Sequence, residues 1–292
     1  GVYVLNKVII RPTKALHDGM LALGRRDFQH RVKINTRDEF QDLAQTFNHL
    51  SEQLNIASEI QAGFSPKQLP QLDFCRLAGF SEPCEATGGD YYDAFVLDGG
   101  RLGVVVADVT GHGIGPSLLM AACRASLRAL SRTDLTPAEL ITQLSELVAE
   151  DMEEGRFITM IYGILDADGT FTYANAGHGP AMVFLNGGVH TLMPHHPPLG
   201  IFIEGDDDDC PAQSSLRLAP GDRILLASDG LNESLNEQGE QFGNQRIAEI
   251  GNQRDLTPTP EAAIGRLKAA LDEHCGSAPK LDDVTILCVD RV

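Results

Sequence analysis

The sequence contains no tryptophan, and aromatic residues make up only 6% of it. Basic residues are also scarce, with 23 Lys and Arg against 41 Asp and Glu, so the formal net charge is −18 at pH 7. A field of this sign repels nucleic acids and anionic lipid headgroups. General nucleic-acid binding is therefore disfavoured as the main function, unless basic residues are concentrated locally.

Cysteine is rare as well, and no two cysteines form a CxxC pair. The six are spread thinly along the chain, at Cys75, Cys84, Cys123, Cys210, Cys275 and Cys288. This usage is typical of reduced thiols in a cytosolic compartment, and it argues against a zinc site built on cysteine. No apolar run approaches the length of about 18 to 20 residues that a membrane helix needs.

The acidity is confined to one part of the chain. Residues 1–57 hold eight basic and six acidic side chains, a net charge of +2, which leaves −20 on residues 58–292. With 42% hydrophobic residues the chain can bury a sizeable core, and its length indicates one large domain and a smaller one. Gly1 opens an apolar pentapeptide that ends at Leu5 and is followed by Lys7. We therefore expect this end to be the remainder of a truncated membrane span.

Residues 8–57 show two helical patterns, separated by a polar stretch from about residue 24 to residue 37. Both keep the alternating spacing of three and four residues that defines an a/d stripe. In the first the stripe is Ile9, Pro12, Leu16, Gly19 and Leu23, and in the second it is Phe40, Leu43, Phe47, Leu50, Leu54 and Ala57. Two short stripes joined by a linker cannot bury both faces alone, so the pattern favours a parallel dimeric four-helix bundle.

Three short motifs in this segment are informative: Ile10-Arg11-Pro12, Asp38-Glu39-Phe40 and Phe47-Asn48-His49-Leu50. With them, about residues 5–57 resemble a HAMP domain; the alternative is a generic amphipathic helical hairpin. The resemblance implies a module that follows a transmembrane helix and passes signals to an output domain. We expect residues 1–57 to be the HAMP domain, residues 58–71 a coupling helix and linker, and residues 72–292 the output domain.

From residue 72 onwards the pattern changes to short apolar strands between turn signals, interrupted by longer helical patterns. The predicted strands are Phe74–Phe80, Tyr91–Leu97, Leu102–Val109, Phe157–Leu165, Thr170–Asn175, Ala181–Leu185, Arg223–Ala227 and Val284–Val289. The predicted helices are Ile114–Leu130, Pro137–Asp151 and Glu261–Cys275. This order predicts an α+β fold in which two packed sheets are flanked by helices.

Four acidic motifs stand at or just beyond the ends of predicted strands. They are Gly88–Asp93 (GGDYYD), Ala107–Gly113 (ADVTGHG), Ser228–Gly230 (SDG) and Asp282–Thr285 (DDVT). If their aspartates converge, several negative charges share one pocket, and a divalent cation is needed to neutralise them. Oxygen ligands without clustered His or Cys select hard ions, so the pattern indicates Mg²⁺ or Mn²⁺.

Each motif is weak when it is taken alone. An Asp-Gly pair after a strand is most often a turn, and Asp-Asp before a strand is most often solvated. GGD followed by tyrosines lacks the acidic pair of a cyclase. The segment Gly111–Gly115 lacks the Lys-Ser/Thr of a P-loop, which disfavours a nucleotide-binding domain. The specific signal is the ordered set of all four motifs.

In that order the motifs resemble the PP2C-like metal-dependent phosphatases, in the SpoIIE/RsbU branch of bacterial serine/threonine phosphatases. The resemblance covers about residues 58–292, and Ala174–Pro180 (ANAGHGP) adds a fifth element of that branch. It implies an αββα sandwich with a site for two metal ions at one end. HAMP followed by such a phosphatase also resembles membrane-bound regulators of the SiaA type.

The resemblance implies a role for each aspartate toward two Mn²⁺ or Mg²⁺ ions. Asp108 would bridge both ions, and the carbonyl oxygen of Val109 would complete one coordination sphere. Asp90 would hold one ion, while Asp229 and Asp282 would hold the other. Two ions about 3.5 to 4 Å apart share and deprotonate a water molecule, and the bridging hydroxide would attack phosphorus in line.

Two points stay open at this stage. Asp283 can replace Asp282 as the ligand, because adjacent aspartates cannot be separated by sequence alone. The loop of Gly111, His112 and Gly113 lets the backbone approach phosphate closely, with His112 either a general acid or a residue that orders the loop.

Other polar residues have weaker meanings. His178 is expected to hold a turn between strands. Arg124, Arg128 and Arg132 are spaced by four and predict a solvent-facing stripe, or a surface for an acidic partner. No Arg occurs between Arg76 and Arg101, near the first metal motif, whereas the eukaryotic PP2C enzymes hold substrate phosphate with one there. Phosphate binding would then rest on metals and backbone, which matches a regulated signalling enzyme.

The leading hypothesis is a metal-dependent serine/threonine phosphatase that is regulated through a HAMP homodimer. Family resemblance implies that its substrate is a phosphorylated STAS-type anti-anti-sigma protein or a similar small switch protein. It also implies an inner-membrane protein whose HAMP and phosphatase domains lie on the cytoplasmic side. The alternative is a non-catalytic scaffold that binds a phosphoprotein.

Overall fold

The computed structural model describes residues 5–111, 113–150, 152, 155–186, 188–201 and 213–292. The chain forms two compact units: Gly1–Gly63 with Glu85–Thr87, and Phe64–Cys84 with Gly88–Val292. Within the described ranges, no helix combines the length and the apolar character that membrane spanning requires. The predicted remainder of a span, residues 1–4, lies outside the described residues.

The first unit consists of two helices. A π-helical turn, Asn6–Ile10, leads into α1, Arg11–Gly24, and α2 spans Glu39–Ala62. Helix α2 begins where the Asp38 side chain accepts a hydrogen bond from the Phe40 amide at 3.1 Å, which satisfies one of the free N–H groups of the first turn. Both helices lie where the sequence predicts them.

The segment between these helices is packed, although the sequence indicates only a polar stretch. Val32 and Ile34 are buried against Phe47 of α2. The Asn48 side chain binds both the amide and the carbonyl of Val32, each at 2.8 Å. Leu43, from the predicted stripe, is 54% exposed. The single unit therefore buries only part of that stripe.

The second unit contains two five-stranded antiparallel sheets. The strands are β1 Cys75–Glu82, β2 Tyr91–Val96, β3 Leu102–Val109, β4 Ile158–Leu165, β5 Thr170–Ala176, β6 Ala181–Leu185, β7 Gly188–Thr191, β8 Ser214–Arg217, β9 Arg223–Ala227 and β10 Val284–Arg291. The first sheet has the order β1-β10-β9-β6-β7, and the second has the order β2-β3-β4-β5-β8.

The central strands are apolar on both faces because each sheet is covered on both sides. In β3, Val104 and Val106 face the opposite sheet, whereas Val105 and Ala107 pack against helices. The helices are α3 Ile114–Leu130, α4 Pro137–Ala149, α5 Asp229–Glu233, α6 Asn244–Asn252 and α7 Pro260–Cys275. Helices α3 and α4 cover the second sheet, and α6 and α7 cover the first. The predicted α+β fold, an αββα sandwich, is confirmed.

Four elements were not predicted from the sequence pattern, and all are short. Strands β7 and β8 have four residues each, helix α5 has five and helix α6 has nine. Periodicity needs several repeats to be recognised, so such elements are defined only by their neighbours. The five described cysteines are free thiols, and only Cys84 among them is not fully buried. Cys210 lies outside the described residues.

Candidate active site

Neighbouring strands of the second sheet bring Asp90 and Asp108 together. Asp108 is the penultimate residue of β3, and Asp90 directly precedes β2, whose first residue, Tyr91, pairs with Ala107. Both aspartates are half-buried as residues, but the Oδ1 atom of Asp90 is fully buried and has no hydrogen-bond partner among the described residues. A buried carboxylate oxygen is unfavourable without a partner, and a cation or a water molecule can act as that partner.

The first sheet contributes the other two acidic motifs in the same way. Asp229 follows β9 after a single serine, and Asp282 and Asp283 directly precede β10. These strands are paired, and beyond their ladder the Ser228 amide donates to the Thr285 carbonyl at 3.0 Å. All four motifs therefore end at one edge of the sandwich.

Ser228 joins the two sheets at this edge. Its hydroxyl donates to Oδ2 of Asp90 at 2.6 Å and accepts from the Thr285 amide at 2.9 Å. Ser228 is part of the SDG motif, but the motif cannot reveal this role, because Asp90 lies 138 residues away in the sequence. Its hydrogen bonds hold Asp90, which lies beside one sheet, against the strand ends of the other.

The electrostatics show that the aspartates share one environment. Burial raises the pKa of Asp108 to about 8, and the charges of Asp229, Asp282 and Asp283 add to this effect. Burial, and then the charge of Asp282, raises the pKa of Asp229 to about 6. The pKa of Asp90 is raised well above its usual value by burial and by the neighbouring carboxylates. In the absence of a cation, each of these carboxyl groups therefore loses its proton less readily than an ordinary aspartate.

Asp282 and Asp283, which the sequence could not separate, lie in different environments. Asp283 is 2% exposed, and its two oxygens accept from the amides of Cys84 and Gly89, each at 2.7 Å. Asp282 is exposed, and one of its oxygens accepts from the Asp283 amide at 2.8 Å. The ligand atoms of Asp282, Asp283 and Cys84 lie within 4.8 Å of one another.

The chain approaches itself closely around Gly88 and Gly89. A Cβ atom on Gly88 would lie 1.9 Å from Oδ2 of Asp283, and one on Gly89 would lie 2.6 Å from the carbonyl oxygen of Val109. These contacts explain why the motif has two glycines. They also place the Val109 carbonyl, a predicted ligand, at the edge where the aspartates meet.

The glycine loop is described in part. Gly111 and Gly113 both have left-handed backbones, with φ of 89° and 93°, and Gly113 directly precedes α3. His112 lies outside the described residues. The Thr110 amide donates to the Phe157 carbonyl at 3.1 Å, which anchors the start of the loop to β4.

The predicted solvent-facing arginine stripe is wrong for Arg128. Its guanidinium contacts Oδ2 of Asp93 at 2.6 Å, and the Tyr91 hydroxyl donates to the same oxygen at 2.6 Å. Asp93 is completely buried, and Arg128 also lies over the Phe95 ring at 4.3 Å. A buried carboxylate is costly unless a cation or hydrogen bonds compensate its charge, and spacing along a helix cannot reveal that Arg128 has this role.

A cation fits the site by the chemistry of its donors. The aspartates offer oxygen ligands of one charge, and among the described residues one buried oxygen lacks a partner. Their pKa values are raised first by burial and then by the charges of the neighbouring aspartates. Hard divalent ions are the cations that such a set of ligands binds. The sandwich and its acidic edge together define the PP2C-like class of proteins.

The particular family follows from comparison with known proteins. Residues 98–292 match the family model "Stage II sporulation protein E (SpoIIE)", and residues 4–56 match the HAMP domain model. The chain belongs to the SpoIIE family and carries an N-terminal HAMP domain, as the motifs predicted.

Individual relatives agree with this assignment. Phosphoserine phosphatase RsbU of Bacillus subtilis is 30% identical over 204 residues, which cover 69% of this chain and 59% of that protein. The SiaA-PP2C domain of Pseudomonas aeruginosa has a TM-score of 0.70 at 24% identity and covers 84% of this chain and 97% of that one. The catalytic domain of phosphatase PstP, solved with two manganese ions, has a TM-score of 0.55 at 18% identity, with coverage of 75% and 99%. The chain spans about half the length of the curated relatives that it matches.

Replacement of Gly88 by Ala is expected to lower divalent-metal-dependent phosphatase turnover by about tenfold or more. Losses of this size are typical when the hydrogen bonds that orient the metal ligands are disrupted. The added methyl group would displace the Asp283 carboxylate from the Cys84 and Gly89 amides. Initial rates at saturating Mn²⁺ measure the effect. The matched control is Gly265→Ala in α7, where a Cβ meets nothing within 4 Å. Equal rates for the two variants would contradict this role of Asp283.

Proposed function

We propose that the chain is a divalent-metal-dependent phosphatase that removes phosphate from serine or threonine of a signalling protein. The observation that carries the proposal is the convergence of four aspartate motifs from two sheets in one cluster with raised pKa values. Phosphate monoesters and water can both be activated by cations held in such a cluster. Membership of the SpoIIE family supports the same activity.

The proposed ligand set has two parts. Asp108, at the centre, would contact both ions, and the Val109 carbonyl and Asp90 would complete the site on the side of the second sheet. Asp229 and Asp282 would hold the ion on the side of the first sheet. We favour Asp282 over Asp283 because both oxygens of Asp283 already accept backbone hydrogen bonds.

The neighbouring residues would prepare this set for catalysis. When bound, divalent ions would lower the pKa of a water molecule and neutralise the charge of the phosphate. Ser228 keeps Oδ2 of Asp90 in place with its 2.6 Å hydrogen bond. Asp283 holds the backbone of Gly89, which in turn lies against Val109. No step requires a covalent intermediate on the chain, in contrast to cysteine-based phosphatases.

The substrate that we propose is a phosphorylated STAS-like protein or a similar small switch protein. The similarity to RsbU, a phosphoserine phosphatase, supports a phosphoserine substrate. The HAMP match supports regulation through residues 1–57, with residues 58–71 as the coupling segment and residues 72–292 as the catalytic domain. In this proposal HAMP forms a parallel homodimer, and a preceding span anchors it in the inner membrane with the phosphatase on the cytoplasmic side.

Removal of divalent metal is expected to abolish turnover by the full chain. Hydrolysis of an aryl phosphate and of a phosphoserine peptide would be measured with Mn²⁺, with Mg²⁺, with EDTA, and after Mn²⁺ is restored. Activity should vanish in EDTA and return with metal, because the clustered aspartates bind substrate and water only through cations. Turnover that survives EDTA would sink the proposed mechanism. Metal and phosphopeptide binding without hydrolysis would instead favour a non-catalytic scaffold.

A further inference from the structure

His178 lies behind the acidic edge, in the turn between β5 and β6. It is 4% exposed, and its Nδ1 atom lies 2.9 Å from the Thr159 hydroxyl of β4. On the other side, its turn is bonded to β9, because the Ala227 amide donates to the carbonyl of Pro180, two residues after His178, at 2.8 Å. Strand β4 belongs to the second sheet and β9 to the first, so His178 and its turn are bonded to both sheets.

The backbone of this turn holds the ring in place. The Asn175 side chain accepts from the His178 amide at 2.8 Å and donates to the His178 carbonyl at 2.9 Å. The side-chain Nδ2 group of Asn175 also donates to the Leu192 carbonyl at 2.8 Å, and Asn175 is completely buried. The imidazole therefore has a fixed position, and its hydrogen bond with Thr159 acts on strand β4 rather than on solvent.

The ring is neutral, since burial lowers the pKa of His178 to about 4. A neutral imidazole has one donor and one acceptor nitrogen. If Nδ1 accepts from Thr159, the proton is on Nε2. Nε2 makes no hydrogen bond within the described part of the chain. The bridge between the sheets therefore consists of the hydrogen bond between Thr159 and the His178 ring and the backbone hydrogen bond from Ala227 to Pro180.

Both ends of the bridge lead to proposed metal ligands. Thr159 is the direct cross-strand partner of Asp108 in the β3–β4 ladder. Ala227 is followed by Ser228, which binds Asp90, and then by Asp229. The bridge thus connects the two strand ends whose spacing sets the distance between Asp108 and Asp229.

We propose that His178 is a positioning residue that ties the strand end of Asp108 to the strand end of Asp229. The inference rests on the proposed function, because the spacing matters only if the aspartates bind cations together. In metal sites, hydrogen bonds to the residues behind the ligands typically change metal affinity by about 10- to 100-fold. In this proposal His178 acts through the Thr159 hydroxyl and through its turn, which is bonded to Ala227.

The test uses the hydroxyl of Thr159, because this change leaves the histidine and the strand in place. Thr159→Val has nearly the same shape and favours a strand, but it cannot donate to Nδ1. Mn²⁺ affinity of the full chain would be measured by calorimetry, and kcat and KM with an aryl phosphate. We expect Mn²⁺ binding to weaken by about tenfold, and kcat to fall while KM changes little.

Two further variants separate positioning from general stability. Thr159→Ser keeps the hydroxyl and should restore Mn²⁺ affinity. Thr172→Val removes a hydroxyl in the same sheet that pairs with Ser215 at 2.8 Å on an exposed face, and it should leave Mn²⁺ affinity and kcat at their wild-type values. A Thr159→Val protein that melts earlier but binds Mn²⁺ as tightly as wild type would overturn the positioning role.

The outcome for wild type separates this proposal from the proposed function. If wild type binds Mn²⁺ but hydrolyses nothing, the phosphatase assignment fails, and the affinities of the Thr159 variants still decide the role of His178. If wild type binds no Mn²⁺, both proposals are overturned. As a check on the ring itself, His178→Phe fills the space without nitrogen atoms and should weaken Mn²⁺ binding as Thr159→Val does. Wild-type affinity in His178→Phe would also overturn the proposal.

Discussion

Replacement of Asp108 by Asn is expected to lower Mn²⁺-dependent turnover by at least about a hundredfold, because metal ions contribute several kcal/mol to the transition state. The pKa of Asp108 is raised by burial and then by the charges of three other aspartates, Asp229, Asp282 and Asp283. Loss of its charge weakens the centre of the site, whereas the shape of the side chain is retained. Initial rates with an aryl phosphate at saturating Mn²⁺ measure the effect.

The matched control for this substitution is Asp134→Asn. The Asp134 side chain is fully exposed, and its nearest cation, Arg101, lies at 3.8 Å. This variant should keep the wild-type rate, since an exposed pair at this distance contributes little. A rate for Asp108→Asn close to that of Asp134→Asn would remove Asp108 from the centre of the proposed site.

The same Asp108→Asn protein should be more stable than wild type when no metal is present. In the folded chain the pKa of Asp108 rises from its usual 3.8 to about 8, so ionisation is harder in the folded state than in the unfolded state. The resulting loss of stability is absent below pH 4, grows as the pH rises towards 8, and stays constant above that. Thermal unfolding in EDTA between pH 5 and pH 9 should show a smaller decline for the Asn variant.

Replacement of Asp290 by Ala is expected to lower the free energy of unfolding by about 3 to 5 kcal/mol, as for a buried ion pair that loses one partner. Arg223 is completely buried, and its guanidinium meets the two oxygens of Asp290 at 2.6 and 2.7 Å. Without Asp290, the hydrogen bonds that this cation would keep among the described residues are those to the hydroxyl and the carbonyl of Thr257. Urea unfolding followed by circular dichroism measures the change.

An exposed pair provides the comparison for this prediction too. Asp134→Ala removes the partner of Arg101 at the surface and should change the unfolding free energy little. If Asp290→Ala is no more destabilising than Asp134→Ala, the Arg223 pair does not hold β9 and β10 together. Mn²⁺ affinity of Asp290→Ala at 25 °C should stay near the wild-type value, because the pair lies at the other end of these strands from Asp229 and Asp283.

The elements that sequence predicts well here are those with long or regular patterns. Strand β3, Leu102–Val109, and helix α3, Ile114–Leu130, have the predicted boundaries. Strand β8 and helix α5 were missed, because four or five residues carry too little periodicity. The polar stretch before α2 was underestimated, since Val32 and Ile34 gain their meaning only by contact with Phe47.

The candidate site divides in the same way. Motif order predicted which aspartates converge and that oxygen ligands select hard ions. It could not choose between Asp282 and Asp283, assign Ser228 to Asp90, or pair Arg128 with Asp93. Each of these depends on a contact between distant segments; the Cys84 amide, for example, meets Asp283 across 199 residues of sequence.

The sequence by itself therefore determined the types of the main elements, the family and the chemical class of the ligands. These follow from local periodicity and from the identity of side chains, which no folding step alters. The tertiary structure alone decided which carboxylates accept hydrogen bonds from backbone amides with both oxygens, and which are left for the proposed cations. It also decided that His178 lies between the two sheets, because only their packing brings the Thr159 hydroxyl to a ring whose turn is bonded to Ala227.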